Sequence, residues 1–248
     1  MEWRPRDSPL PWGHFRLLRS SSDGRRSLEC RSHVVRLARL TLLAIAAGVG
    51  YARVLRGRVL TWGATENEAR CRLPGDELLE AADGVATRAI AIRAPASAVW
   101  PWLVQMGPSP RGGAYTYDWI ENLLGLKMHS AGRVLPEFQH PALGDAIGYG
   151  TNRMRVELID PERAFAWRSE DGNWVWSFVL REEQSVTRLI SRNRFRLPTL
   201  VARVGMQFME PASLVMERKM LLGIKQRAEG HAAAGIDHEQ AWREPELE

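Results

Sequence analysis

His129 and His140, with Glu137 between them and Asp145 beyond, are the residue types that hold a transition metal. Their spacing matches no standard ligand pattern, and both histidines fall in a loop-like stretch, so a structural or surface role is expected and no metal. Asp118 and Glu121 stand one helical turn apart, where paired carboxylates can divide acid and base work. Solvent-facing charge is the commoner use of such a pair. Gly107–Gly113 (GPSPRGG) is loosely like an anion-cradling loop but lacks the Lys-Ser/Thr of a phosphate loop, and it reads as a turn between helices. No serine has the context of a nucleophile elbow, and Cys30 and Cys71 are too few for a disulfide framework. The tryptophans are more informative. Trp102, Trp167, Trp174 and Trp176 offer large apolar surface, and a buried indole N–H needs a partner, so these rings suit the lining of a ligand cavity.

The elements that must position those rings follow from periodicity. Val85–Arg93 alternates as a strand, followed by two short helices, Ser97–Met106 (interrupted by Pro101) and Tyr115–Leu126. Arg133–Glu137 and Asp145–Tyr149 are weaker strand candidates. Clear alternation then gives one-sided rows: Met154, Val156, Leu158; Phe165, Trp167; Trp174, Trp176, Phe178, Leu180; and Leu189, Ser191, Asn193, Phe195, Leu197. Turns at Asp160–Arg163, Asp171–Asn173 and Glu182–Ser185 separate these rows at hairpin spacing. A helical stretch, Val201–Glu229, closes the order, with a kink or restart expected at Pro211. Its richest face carries Val201, Gly205, Phe208, Met209, Ala212, Met216, Met220 and Gly223, which places Glu210, Glu217, Arg218 and Lys225 on the other side. Methionines and small residues on the inward face would pack a curved sheet and still leave an adaptable gap.

The 248 residues carry a net charge of +5, with an arginine-dominated surplus, and suffice for one domain with extensions. Residues 1–33 read as a basic, unfolded arm and 34–56 as a membrane anchor centred on Leu40–Ala52, with an amphipathic or buried helix and a signal peptide as the competing readings of that run. That apolar core is shorter than the ~20 residues of a spanning helix unless its flanks are included. Residues 57–84 form a lead-in, in which Thr65 and Glu68 make a capping box. The domain occupies 85–229, and 230–248 is a flexible tail. Arg153, Arg155, Arg188, Arg192, Arg194 and Arg196 share the outer face of the late strands, either solvated or against anionic lipid. Nucleic acid is disfavoured, because no recognition helix or stacking platform accompanies the charge.

The segments LTWGAT (60–65), LPGDEL (73–78), VWPWLVQMG (99–107), YTYDWIEN (115–122) and MERKMLLGIK (216–225) resemble the helix-grip superfamily of START domains, polyketide cyclases and Bet v 1-like proteins. More narrowly they resemble bacterial SRPBCC proteins. The resemblance implies an α+β helix-grip fold: a curved antiparallel sheet of about seven strands wrapped round a long C-terminal helix, with two short helices after the first strand. It also implies an apolar cavity, and supplies no catalytic residues. The expected function is binding of a small hydrophobic molecule, lipid-like or polyketide-like, by Trp102, Tyr117, Trp167, Trp176, Met209, Met216 and Met220. No cofactor is expected, and membrane attachment is expected through Leu40–Ala52. The competing reading is a cyclase or dehydratase in which Tyr117 or Asp118 moves a proton.

Overall fold

The computed structural model describes residues 36, 39–43, 46, 48, 50–148 and 153–243; of residues 52, 53 and 234–243 only the backbone is described. The chain divides into two compact units, Met1–Tyr51 and Ala52–Glu248. In the first, the described residues are helical, and Leu40, Leu42 and Leu43 are exposed. The expected arm lies outside the described residues, as does part of the expected anchor. Among the described residues no helix is long and apolar enough to cross a membrane, so a single-pass anchor finds no support there.

The second unit begins with two short helices, α1 (Arg56–Leu60) and α2 (Glu66–Arg70). At the start of α2 the Glu68 amide donates to the Thr65 hydroxyl and the Thr65 amide donates to the Glu68 carboxylate, completing the expected capping box. Strand β1 (Gly84–Ile92) leads through α3 (Ala96–Val104) and α4 (Asp118–Leu123) to β2 (Ala146–Ile147). Then come β3 (Met154–Asp160), β4 (Ala164–Ser169), β5 (Trp174–Glu183), β6 (Val186–Phe195) and the long α5 (Leu200–Arg243).

The strands form one antiparallel sheet ordered β1-β6-β5-β4-β3-β2. β1 pairs with β6 along its whole length, from Gly84↔Phe195 to Ile92↔Thr187. An irregular register between Val156 and Leu158 bends β3, as a bulge does. Six strands stand where about seven were expected. The Arg133–Glu137 candidate is a loop ending in a 3-10 turn, Pro136–Phe138. Pro136 has no N–H for a ladder, and the Gln105 side chain takes the place of a neighbouring strand, accepting from the Leu135 amide and donating to the Arg133 carbonyl.

Helix α5 is continuous through Pro211, without the expected restart. Loss of one N–H costs a single intrahelical bond, and packing of the second half carries the helix on. Met220, Leu221, Ile224 and Ala228 are fully buried there against β-sheet and α3 side chains. Gly223 permits this approach, since a Cβ would lie 2.6 Å from the Tyr115 carbonyl oxygen.

The arginines on the convex face are tied to protein partners, although Arg153, Arg155 and Arg196 also stay exposed to solvent. Arg188 binds Glu68 and the Gly63 carbonyl, Arg194 the carbonyls of Leu79 and Glu80, and Arg196 the carbonyl of Ala81. Arg192, buried, binds Asp76, Thr87 and the carbonyls of Cys71, Glu68 and Ala69. Together they fasten the lead-in across the back of the sheet. Arg153 and Arg155 pair with Glu170 at the opposite edge.

Candidate functional site

The concave face is set by the alternation of each strand. Phe165 and Trp167 from β4, Trp174, Trp176 and Phe178 from β5, and Ser191 and Asn193 from β6 point the same way, toward α5. Cross-strand pairing puts Trp167 opposite Trp176 and Trp176 opposite Asn193. The rings form a connected wall. Trp174 and Trp176 are stacked at 5.7 Å, Trp167 meets Trp176 edge-on at 5.6 Å, and Phe165 continues the series to Trp167 at 5.4 Å and Trp100 at 5.8 Å. Trp167 is buried, whereas Trp174 and Trp176 are half-buried, which leaves this end of the wall open to solvent.

Across from the wall lies a polar cluster that periodicity did not foresee. Arg88 on β1, opposite Ser191, donates to the Glu217 carboxylate, to the Ser213 hydroxyl (3.0 Å) and to the Val59 carbonyl (3.2 Å). Asn193 donates to the same Glu217 oxygen at 3.2 Å and accepts from the Trp174 indole at 2.8 Å. The Trp176 indole donates to Ser191 at 2.8 Å. Glu217, only 7 % exposed, keeps its Oε1 without a hydrogen-bond partner within the protein, and so does the Trp167 indole N–H. Burial pushes the Glu217 carboxyl above its ordinary range, against the pull of Arg88 and of the nearby Ser191 hydroxyl.

This is a helix-grip fold. Its sheet holds the second half of α5 by apolar contact, and the first half is held by ion pairs, from Arg56 of α1 to Glu210 (2.8 Å) and from Arg88 of β1 to Glu217. The helix is therefore rotated from the expected phase. Glu210 and Glu217, expected in solvent, face inward, while Met209 is 59 % exposed and Met216 half-buried. The physical reason is that a buried Arg88 requires a carboxylate opposite, a requirement stronger than the gain from burying one more methionine. Arg88 within an otherwise apolar strand, level with Ser191 and Asn193, was the available signal.

Of the expected lining residues, Trp167 and Trp176 belong to the core beneath α5, and Met220 to the face of α5 that packs on that core. Trp102 is buried further along, edge-on to Tyr115, with its indole N–H also unpartnered. It borders a cleft of about 630 Å³ formed with Gly132–Val134, Gln226, Arg227, Gly230 and His231. Tyr117 is at the surface, its ring 5.8 Å from the Lys219 ammonium, outside the core. A larger depression of about 810 Å³ lies away from the wall, among the charged turn residues Asp160–Arg163 and Arg181–Glu182. Its polar lining offers an apolar ligand little.

The other chemical candidates resolve into structure. Asp118 accepts from the Ser130 amide (2.7 Å) and hydroxyl (2.5 Å), stapling a loop. Arg111 donates to the carbonyls of Val104 and Met106, so the glycine-rich turn caps α3. Among the described residues no group of three or more His, Cys, Asp or Glu could hold a metal.

No family model matches the chain, and no curated protein matches it. Solved structures similar to it include a Polyketide_cyc-like protein from Corynebacterium glutamicum, at 16 % identity over 66 % of this chain and 97 % of that one, TM-score 0.31. The Aha1 dimer from Colwellia psychrerythraea matches at 14 % identity over 59 % of this chain and 96 % of that one, TM-score 0.36. CalU16 from Micromonospora echinospora matches at 16 % identity over 60 % and 86 %, TM-score 0.29. Similarity at this level carries no functional inference.

Proposed function

We propose that the protein binds a small hydrophobic molecule bearing one polar group between the tryptophan wall and the first half of α5. The observation that carries this reading is the pairing of an apolar wall with two unpartnered buried polar atoms, the Trp167 N–H donor and the Glu217 Oε1 acceptor. Unsatisfied groups in such a setting cost about 1–3 kcal/mol each, a cost that a ligand hydroxyl removes at either atom and a ligand carbonyl at the Trp167 N–H. Apolar ligand surface laid on the wall adds roughly 25 cal/mol per Å² before ordering costs. Native mass spectrometry of protein extracted gently from its host tests the reading. A retained hydrophobic ligand, or saturable binding of N-phenyl-1-naphthylamine displaced by one, is expected. Protein that arrives empty and does not bind the probe overturns the proposal.

One feature favours a second reading, a cyclase-type enzyme. Glu217 is ionisable, buried, raised in pKa and faces the wall, so it meets the demand for a proton carrier better than Tyr117 or Asp118 does. Here Glu217→Gln would preserve probe binding and abolish turnover of a poly-carbonyl chain, whereas a carrier shows no turnover in either form.

A further inference from the structure

Two helices of this protein are inside out. From Leu200 to Lys219 the buried positions of α5 are acidic, Glu210 at 2 % exposure and Glu217 at 7 %. The solvent positions are apolar: Val201, Val204, Phe208 (79 % exposed) and Val215. At 100° per residue these four fall within one narrow stripe, opposite the line Glu210–Glu217. The stripe runs about 20 Å along the helix, at a rise of ~1.5 Å per residue. Helix α4 repeats the inversion: Glu121 is buried, while Trp119, Leu123 (82 % exposed) and Leu124 face outward. The end of the stripe adjoins the start of α4, where Lys219, one turn beyond Val215, lies over the ring of Tyr117.

Charge follows the same division. From Leu200 to Leu222 the carboxylates are Glu210 and Glu217, both buried and paired; Arg203 pairs with Asp83, so the exposed net charge of this stretch comes from Arg218 and Lys219. On α4, Asp118 is tied to Ser130, and burial raises the Glu121 carboxyl. Turning carboxylates inward and large apolar groups outward is unfavourable on both counts in water. It becomes favourable where the outer face meets an apolar medium edged with negative charge, as in the interfacial zone of an anionic bilayer.

We propose that the outer face of the α5 first half, extended by Trp119, Leu123 and Leu124 of α4, docks on the surface of an anionic lipid bilayer. The stripe lies in the interface, with Arg218 and Lys219 at headgroup level. The proposal concerns surface attachment by these two helices, is separate from any spanning segment at Leu40–Ala52, and does not rest on the ligand reading.

Because residues 40–52 could hold lipid by themselves, the test reads out the face rather than the whole chain. The full-length protein carrying Cys30→Ser, Cys71→Ser and Phe208→Cys is labelled with the environment-sensitive dye NBD at position 208. A second protein carries the dye at Glu162, in the turn between β3 and β4, as a control. Vesicles of phosphatidylcholine with phosphatidylglycerol are expected to blue-shift the 208 probe and protect it from iodide, leaving the 162 probe unchanged. Phosphatidylcholine alone should give a smaller shift. Val201→Glu with Val215→Glu should abolish the shift at 208 while circular dichroism stays that of the parent, since both positions are exposed. An unshifted 208 probe on anionic vesicles overturns the proposal. So does a shift that depends on protein concentration without vesicles, which would assign the face to a second copy of the chain.

Discussion

Arg192 and Arg88 stand on adjacent strands of one sheet, on opposite faces, and each is buried with a carboxylate. On the convex face the guanidinium is saturated, and the one carboxylate oxygen without a hydrogen bond, Asp76 Oδ1, faces a second guanidinium, that of Arg194. Arg192 donates to Asp76, to Thr87 and to three backbone carbonyls, and Asp76 also takes the Leu73 amide and lies 3.4 Å from Arg194. On the concave face Arg88 has three partners, and its carboxylate keeps one oxygen free beside an aromatic wall. The first is a clamp for the lead-in segment. The second has the residual hydrogen-bonding capacity that recognition of a ligand needs.

The comparison breaks most directly by removing either cation. Arg192→Met and Arg88→Met should each lose about 3–5 kcal/mol in urea unfolding, because each strands a buried carboxylate. Their second-site behaviour should differ. Adding Glu217→Leu to Arg88→Met should recover most of the loss, since two apolar groups replace the pair. Adding Asp76→Leu to Arg192→Met should not, because the carbonyls of Glu68, Ala69 and Cys71 remain without a donor.

Acid titration sharpens the contrast through opposite signs. The guanidinium of Arg188, on the convex face, holds Glu68 down to about 2 from an ordinary 4.5. Its contribution is therefore present above about 4.5 and lost as pH falls toward about 2. Glu217 is shifted upward, so the folded state favours its proton, and its contribution is present at low pH and lost as pH rises past the ordinary range. Relative to the parent, Glu68→Gln should be most destabilising at neutral pH and converge with it in acid. Removal of the capping hydroxyl by Thr65→Ala should cost about 1 kcal/mol, on the clamp side only.

Much of the scaffold was legible because it rests on local rules. The inward rows of β5 and β6 follow from alternation, and the Thr65–Glu68 box from two residues at fixed spacing. The inward direction of Trp167 and Trp176 follows from the same alternation. The phase of α5 was not legible from the helix alone, because its first half has more apolar residues outside than in. Inward Glu210 and Glu217 are decided by Arg56 and Arg88, which lie 154 and 129 residues away in sequence. Met209 is turned outward for that reason: helical periodicity counts apolar groups, while tertiary structure here had to neutralise the buried Arg88 guanidinium first.

The most direct measurement of the ligand account is the indole region of a ¹⁵N–¹H spectrum, where each tryptophan gives one N–H resonance, assigned by Trp→Phe variants. Trp174 and Trp176 are already bonded to Asn193 and Ser191, and Trp167 is not. Titration with a hydrophobic ketone or alcohol should move the Trp167 N–H downfield in a saturable way, shift Trp174 and Trp176 less, and lose affinity in Glu217→Leu. A Trp167 resonance that stays fixed at saturating ligand would contradict the account.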